Sequence, residues 1–546
     1  MTDTARPRIC VFAGPDATVL NSAPLVTSDK ARARAGLPAR ADRSGGPQRF
    51  DTLRPQRLAA PVTVYVEQFS AHPLESDVAE LYGPPDGYVD AGGRFHPERT
   101  AAGDTPVYEV ELRPDDGLYP LPYMAVQADG RPWEGDEADP FGPPGRHRQP
   151  FYPDPSRVFE EIDRLQPGDD GLASHLSRLA DFEFVRAAPP GGYTRAGEER
   201  GRDWFAYRPP HLIRQPSRLA LGRLTNVVSR ALAGGTYDGA LWLEGSPYVE
   251  ETAWWLNLLL DTPLPIAACA SQRPHGEVGN DGDRNIIDAV TYLVSRTWAD
   301  EAGRDALGAV VVMDQQIVAA RAVQKSDARP GGYVATGGHG GILGTITSIG
   351  RAVVSMRPVQ RHTWRSEVRL TQLPSEVAGV GGGSVRVRDA AGDLLPEAVP
   401  AVTLVKHGQY VEPTDEVDAT SELGILASIA RATQGGGLAG FVAEGSAPFG
   451  TLNESAEAAL RLAAFSGLPV VKVGRGDAGG VSEGTYAPFG IAGGNLTATK
   501  ARLLLMAGLL KFGALPPAAD PSAPTPDEMA AIQRALGRYR DLFASH

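Results

Sequence analysis

The apolar run from Gly239 to Leu243 constrains the fold of this chain more than any other stretch. Its length and composition predict a short buried strand, and the Gly-Ser-Pro turn after it leads into a helix predicted from about Val249 to Leu260. A strand, a tight turn and a helix in succession direct backbone N–H groups and the first side chains of the turn beyond the carboxyl end of the strand. Open α/β sheets bind their ligands at that edge. We therefore expect a functional site at this turn.

A second series of alternating strands and helices occupies the last third of the chain. The 546 residues suffice for two or three domains. The predicted elements of this series are, in order, a strand at Val402 to Lys406, a helix at Ser421 to Ala432, a strand at Gly440 to Glu444, a helix at Ser455 to Ser466, a strand at Pro469 to Val473 and helices at Lys500 to Leu510 and Pro526 to Phe543. The alternation predicts a parallel sheet with helices on both faces.

Charge and cysteine content exclude several classes of function. The net charge of -13 argues against a nucleic acid or an anionic membrane as partner, because those partners require clustered Lys and Arg. Cys10 and Cys269 both lie in apolar, strand-like runs, which predicts buried side chains rather than a disulfide or a metal pair. The histidines show no metal-binding spacing, so neither metal nor cofactor is predicted. We also find no signal peptide and no apolar run of the ~20 residues that span a bilayer, which predicts a cytoplasmic protein.

The central stretch resembles the asparaginase/glutaminase family. The residues that match the family motifs, in the family order, are Tyr237-Asp238-Gly239, Glu250-Glu251-Thr252, Arg273-Pro274, Asp281-Gly282, Asn285, Asp288-Ala289, the run Asp314 to Ser326, and the run Gly490 to Arg502. The resemblance implies an α/β, two-domain asparaginase-like fold. Its larger N-terminal domain is a Rossmann-like parallel sheet, and its smaller C-terminal domain is a second parallel sheet.

The predicted domain boundaries follow from this resemblance. The N-terminal domain is placed at residues 1–385 and the C-terminal domain at 401–546, with a linker at 386–400 inside the irregular sequence from Val377 to Pro400. Strands are predicted at Arg8 to Ala13, Val62 to Phe69 and Ala309 to Met313. The family helix that should follow the second of these appears only near Ser217, so residues 73–216 are predicted to be an insertion that rejoins the sheet beside the site. Two roles stay open for it: a lid that sets specificity, or an element that decorates the fold or builds an oligomer.

The catalytic motifs of the family are altered in this chain. Where the family has a catalytic Thr-Asp pair, this chain has Ser246-Pro247, while Lys325 falls on the family's catalytic lysine. The family's nucleophilic threonine corresponds to Pro15, which has no hydroxyl. A shift of register would bring Asp16 or Thr18 to its place. No tyrosine precedes Tyr65 to supply the family's catalytic tyrosine.

Ser246 and Lys325 are the predicted nucleophile and base. Amide hydrolysis needs these two groups and donors for the oxyanion, and burial can lower a lysine pKa toward neutrality. Helix N–H groups at the turn could supply the donors, and Tyr248 could donate a proton or line the pocket. Glu244, in place of a family histidine, could instead pair with Lys325 and keep it charged. The other predicted substrate contacts are Asp16, Thr18, Gln68, Ser70, Glu244, Gly245 and Ser271.

Three functions are compatible with these residues. The first is a divergent amidohydrolase that acts on a non-standard amide or related C–N substrate, rather than an ordinary L-asparaginase. The second is a catalytically inactive pseudoenzyme that binds a ligand, and the third is an acyl-transfer or amide-forming enzyme. In each case the resemblance implies a small-molecule ligand and a homodimer or homotetramer.

Overall fold

The structure is a computed structural model in which two sheets pack around shared helices. It describes residues 7–13, 26–27, 54–55, 62–66, 85, 87–90, 95–112, 183–186, 218–235, 237–272, 281–406, 417–446, 448–476, 478–481 and 488–546.

The strands and helices of these residues are numbered in chain order. The strands are β1 (Arg8–Ala13), β2 (Val26–Thr27), β3 (Arg54–Pro55), β4 (Val62–Val66), β5 (Gly87–Val89), β6 (Phe95–His96), β7 (Thr105–Leu112), β8 (Glu183–Arg186), β9 (Gly239–Leu243), β10 (Ile266–Cys269), β11 (Val310–Met313), β12 (Gln316–Ala319), β13 (Val323–Lys325), β14 (Tyr333–Ala335), β15 (Ile342–Ile346), β16 (Ala352–Val354), β17 (Glu376–Ala378), β18 (Ser384–Arg386), β19 (Ala401–Lys406), β20 (Ala439–Gly445), β21 (Val470–Gly474) and β22 (Ile491–Ala492). The helices are α1 (Arg218–Ala233), α2 (Tyr248–Leu259), α3 (Gly282–Ser295), α4 (Leu423–Gly435), α5 (Glu454–Phe465), α6 (Ala498–Phe512) and α7 (Pro526–Ser545).

The larger sheet has eight strands in the order β16-β15-β12-β11-β10-β9-β1-β8. The half from β8 to β11 is parallel, whereas β11, β12, β15 and β16 pair in antiparallel fashion. All five residues of β9 are buried, as are the four of β10 and of β11. This fits the continuous apolar runs that strands covered on both faces require. The predicted strands at Gly239 to Leu243 and Arg8 to Ala13 are confirmed to the residue.

The strand predicted at Val62 to Phe69 is found as β4, and it does not belong to the larger sheet. β4 pairs with β7 in a separate antiparallel sheet of four strands, ordered β4-β7-β5-β6. The position beside β1 is taken by β8. The sequence VTVYV alternates between apolar and polar residues, which is typical of a strand with one exposed face rather than of a buried parallel strand.

Helix α2 is buried between the two sheets. One face, formed by Val249, Ala253, Leu256 and Leu260, belongs to the core of the larger sheet. The opposite face, formed by Trp254, Trp255, Leu258 and Leu259, belongs to the core that includes α6 and α7. Every residue from Thr252 to Leu259 is buried, so this part of the helix has no solvent-exposed face. The helix that carries the candidate turn is therefore held from both sides.

The smaller sheet has four parallel strands in the order β19-β20-β21-β22. Apart from β22, which was not predicted, its strands and helices match the predicted series to within three residues at each end. The stretch before it, predicted to be irregular, contains the hairpin of β17 and β18. Helix α7 begins with a capping box in which Thr525 and Glu528 bond reciprocally.

The cysteines and the length of the apolar helices were both subjects of the sequence predictions. Cys10 and Cys269 are both buried free thiols, as predicted. No helix among the described residues is long and apolar enough to cross a bilayer.

Candidate functional site

The candidate site lies where β9 ends and α2 begins, at the carboxyl edge of the larger sheet. Glu244, Gly245 and Ser246 follow β9 directly. The N–H of Val249 donates to the Gly245 carbonyl oxygen and the N–H of Glu250 donates to the Pro247 carbonyl oxygen, both at 3.3 Å. These two N–H groups are already bonded within the turn. The predicted oxyanion role of the helix N–H groups thus loses two of its donors.

Glu244 is held inside the fold rather than by Lys325. Its carboxylate is buried at 1% exposure and accepts from Trp242 Nε1 at 3.0 Å and from Thr252 Oγ1 at 2.9 Å. A buried carboxylate with these donors fixes β9 to α2. The ion pair with Lys325 that would have kept the lysine charged is not the arrangement found.

The Ser246 hydroxyl lies between two polar side chains. Tyr333 donates its phenolic hydrogen to Ser246 Oγ at 2.8 Å, and Ser246 Oγ donates in turn to Gln272 Oε1 at 3.3 Å. Gln272 Nε2 donates to the Asp327 carbonyl oxygen at 3.3 Å. The half-buried Ser246 is therefore oriented by two groups, Tyr333 from β14 and Gln272 from the loop after β10.

The loop after β10 is fixed by Asp281, which precedes α3. Asp281 accepts from the Gln272 N–H at 3.0 Å, from Ser271 Oγ at 3.2 Å and from Asn285 Nδ2 at 3.3 Å. Ser271, a predicted substrate contact, is buried and directs its hydroxyl at this carboxylate. Its neighbour Gln272 is the residue of this loop that reaches Ser246.

Lys325 and Tyr333 lie directly opposite each other in the hairpin of β13 and β14. Side chains at opposed positions of an antiparallel pair project from the same face. Because the Tyr333 hydroxyl contacts Ser246, this face of the hairpin is turned toward the serine. Lys325 is half-buried there, and its backbone N–H donates to Glu250 Oε2. Lys325 therefore shares a hairpin face with Tyr333, the residue that bonds to Ser246.

Tyr333 acts as a hydrogen-bond donor. Burial raises the pKa of its phenol, and the negative charges of Glu250, Glu244 and Asp281 raise it further, against the hydrogen bond to Ser246 that lowers it. The phenol therefore stays protonated at neutral pH. It can orient Ser246 Oγ or stabilise developing negative charge, but it cannot remove the serine proton.

Glu250 connects the site to the helices behind it. Burial raises the pKa of its carboxyl group, while Lys500, the Lys325 N–H and the Lys325 charge lower it. The Lys500 Nζ donates to the Glu250 carbonyl oxygen. Glu250 was expected only as part of a family motif; its contacts show that it links Lys325 to α2.

The remaining predicted site residues divide into two groups. Tyr248 is the half-buried first residue of α2, and Gly245 is buried in the turn. Pro15, Asp16, Thr18, Gln68 and Ser70 lie outside the described residues. Among the residues that are described, no three His, Cys, Asp or Glu side chains are gathered so that they could hold a metal ion.

Sequence reasoning missed Tyr333 and Gln272. Tyr333 follows the glycine pair Gly331-Gly332. This pair suggests a turn, but it does not indicate that Tyr333 bonds to Ser246. Gln272 is next to a predicted contact, Ser271. The glycine pair marks a turn after Lys325, but the register that places Tyr333 opposite the lysine comes only from the structure.

Comparison with known proteins places this site within a recognised family region. The family model described as "Asparaginase, N-terminal" matches residues 217–348. This range contains Ser246, Gln272, Lys325 and Tyr333.

Curated relatives align over a larger part of the chain. A glutaminase-asparaginase of Acinetobacter glutaminasificans is 26% identical over 279 residues, which is 50% of this chain and 71% of that protein. A probable L-asparaginase of Deinococcus radiodurans is 32% identical over 187 residues, which is 31% of this chain and 55% of that protein. A crystal structure of a probable cytoplasmic L-asparaginase from Campylobacter jejuni superposes with a TM-score of 0.44 at 20% identity, covering 68% of this chain and 93% of that one.

Proposed function

The chain belongs to the asparaginase/glutaminase family, and from that premise we propose that it is an amidohydrolase with a rebuilt site centred on Ser246. One observation carries the proposal: the Ser246 hydroxyl is bonded to Tyr333 on the hairpin whose same face carries Lys325. A hydroxyl and a proton donor thus meet at the carboxyl edge of the sheet, where α/β proteins bind ligands, and Lys325 lies on the hairpin face that carries the donor.

In the proposed reaction, Ser246 Oγ attacks the carbonyl carbon of an amide while Lys325 Nζ accepts the hydroxyl proton. The hydrogen bond from Tyr333 orients Oγ during the attack. The tetrahedral intermediate collapses to an acyl-serine ester as the C–N bond breaks, and the proton on Lys325 passes to the departing amine. Water then hydrolyses the ester and restores the serine.

The proposed substrate is an amide or related C–N compound other than free asparagine. Pro247 stands where the resemblance expects the aspartate of the catalytic pair, and a proline carries no carboxylate. The acidic side chain that would pair with the α-ammonium of an amino acid is shifted or absent in the predicted substrate loop after Val62 to Phe69. An amide without a free amino-acid head group fits these residues better.

A ligand-binding protein without turnover is the second candidate. One contact favours it: Ser246 Oγ donates to an amide oxygen of Gln272, which cannot take up the proton. In this case the same pocket would hold a small polar ligand, and Lys325 would be a binding group.

Ammonia or amine release from a panel of asparagine, glutamine, N-substituted amides and hydrazides tests the proposal. Turnover should be lost in Ser246→Ala and in Lys325→Ala. The matched controls are Ser428→Ala and Lys406→Ala, because Ser428 bonds within its own exposed helix turn and Lys406 is exposed on the smaller sheet. Repeating the panel with hydroxylamine would detect an acyl transfer that needs an acceptor. Binding of a panel compound without turnover in either format would support the second candidate instead.

A further inference from the structure

Lys500 is a buried cation in the first turn of α6, with 1% of its surface exposed. Moving an ammonium group out of water costs on the order of several kcal/mol unless hydrogen bonds replace its hydration. Its Nζ donates to the carbonyl oxygen of Ala320 at 2.7 Å and to the carbonyl oxygen of Glu250. These two acceptors show which segments of the chain the Lys500 side chain joins.

The two acceptors lie on the two segments that carry the candidate site. Glu250 is in the first turn of α2, four residues after Ser246. Ala320 lies between β12 and β13, five residues before Lys325. One ammonium group on a helix of the smaller sheet thus bonds to both segments at once.

A third bond closes this arrangement, because Glu250 Oε2 accepts from the Lys325 N–H. Burial raises the pKa of Glu250, and the charge of Lys500 opposes that rise. Burial likewise lowers the pKa of Lys500, and Glu250 and Glu251 oppose that fall. The two groups favour each other's charged forms, and a carboxylate accepts a stronger hydrogen bond than a carboxylic acid does.

From these contacts we propose that Lys500 is a positioning residue that sets the Ser246 turn against the hairpin of Lys325 and Tyr333. The inference rests on the function proposed above. Lys500 contacts neither Ser246 nor Lys325 side chains; it acts through the backbone of the two segments and through the Glu250 carboxylate.

The test compares Lys500→Met with Arg502→Met. Arg502 lies two residues further along α6 and pairs with Glu251, so it joins the same two helices without bonding to the hairpin segment. Lys500→Met should lower kcat about 100-fold and leave KM within about threefold, since small displacements of reacting groups cost rates of this size. Arg502→Met should leave both constants within about threefold. An equal fall in both variants, or an unchanged kcat in Lys500→Met, overturns the proposal.

Hydrogen exchange separates this inference from the proposed function. The amide proton of Lys325, bonded to Glu250, should exchange about tenfold faster in Lys500→Met than in the wild type or Arg502→Met, whether or not any amide is turned over. An inactive wild-type protein would refute the function and leave this measurement to decide the positioning. Unchanged exchange in Lys500→Met would refute the positioning alone.

Glu250→Gln provides a second variant in case Lys500→Met does not fold. The side chain is half-buried, and the substitution keeps the backbone carbonyl that accepts from Lys500. The amide accepts a weaker bond from the Lys325 N–H, so kcat should fall about tenfold with KM little changed. A kcat equal to that of the wild type would overturn the proposal.

Discussion

Two polar groups contact the start of α2 and are held in different ways. One is Ser246 in its turn; the other is the Lys500 junction, in which Lys500 Nζ bonds to the carbonyl oxygens of Glu250 and Ala320. Ser246 is half-buried and bonds to two neutral side chains, at 2.8 Å and 3.3 Å. Lys500 is buried and charged, and its acceptors are backbone carbonyls. Side chains can change rotamer when a ligand enters, whereas backbone carbonyls in packed segments cannot. Ser246 can therefore exchange hydrogen-bond partners, whereas the contacts of Lys500 stay fixed.

This difference teaches where the chemistry and its support are located. The altered family motif lies at the turn, in Ser246 and Pro247, whereas the motif that contains Lys500 is retained. The reacting groups of a site can change while the buried residues that support them stay the same, because the two sets of residues make separate contacts. Substitutions at the turn should therefore change rates, and substitutions in the buried frame outside the Lys500 contacts should change stability.

The largest effect is expected from Ser246→Ala. Loss of the nucleophile should lower kcat for the best amide of the panel by about 1,000-fold or more, because alanine has no hydroxyl to attack the carbonyl carbon. The free energy of unfolding should change by less than about 1 kcal/mol, since the residue is only half-buried. Steady-state amine release and urea unfolding measure the two quantities. Retention of kcat in the variant would move the nucleophile away from this turn.

Tyr333→Phe should have the next largest effect. The substitution removes the donor to Ser246 Oγ and keeps the buried ring. Loss of one oriented donor in an acyl-transfer site costs about 100- to 1,000-fold in kcat. Pre-steady-state release of the amine would show whether formation of the acyl-serine is the step affected. An unchanged kcat with a raised KM would instead indicate that Tyr333 only binds the ligand.

His362 tests the prediction that buried residues outside the Ser246 turn and the Lys500 contacts affect stability rather than rate, because its side chain is buried. It is 2% exposed, and burial, aided by the charges of Arg365 and His546, lowers its pKa to about 4. In the unfolded chain its pKa returns to about 6.5. Between these values the unfolded chain binds a proton that the folded state excludes, so stability falls as pH falls from 6.5 toward 4.

The expected loss from His362 alone is about 3 kcal/mol across that window. Urea unfolding of the wild type and of His362→Gln at several pH values measures it, and the variant should show a flatter dependence. At pH 7 the kcat of His362→Gln should match that of the wild type. Parallel pH dependences in the two proteins would contradict the assignment.

The fold was largely predictable because its strands are continuous apolar runs. Gly239–Leu243 and Arg8–Ala13 could be assigned from the sequence, since each contains a run of five apolar residues, which is typical of a short strand covered on both faces. The strand at Val62 could be recognised but not placed. Alternating residues predict a strand, and they do not say which sheet the strand joins.

The candidate site was predictable only in part. Ser246 and Lys325 follow from their positions in matched motifs, but the partners of Ser246 depend on where its turn, β14 and the loop after β10 meet. Tyr333 is 87 residues from Ser246 in the sequence and Gln272 is 26 residues away. Such contacts are set by sheet order and hairpin register, which local sequence patterns do not specify.

The smallest expected effect sharpens the comparison further, because it concerns a second link between the same helices. Arg502 and Glu251 form an ion pair in which about a third of each side chain is exposed (32% and 34%). Partly exposed pairs contribute about 0 to 1 kcal/mol, since water screens the charges and the side chains lose freedom. A double-mutant cycle with Arg502→Met and Glu251→Gln, measured by urea unfolding in low and high salt, should give a coupling energy in this range that decreases with salt. A coupling above about 2 kcal/mol would mean that the exposed link, and not Lys500 alone, holds α6 to α2.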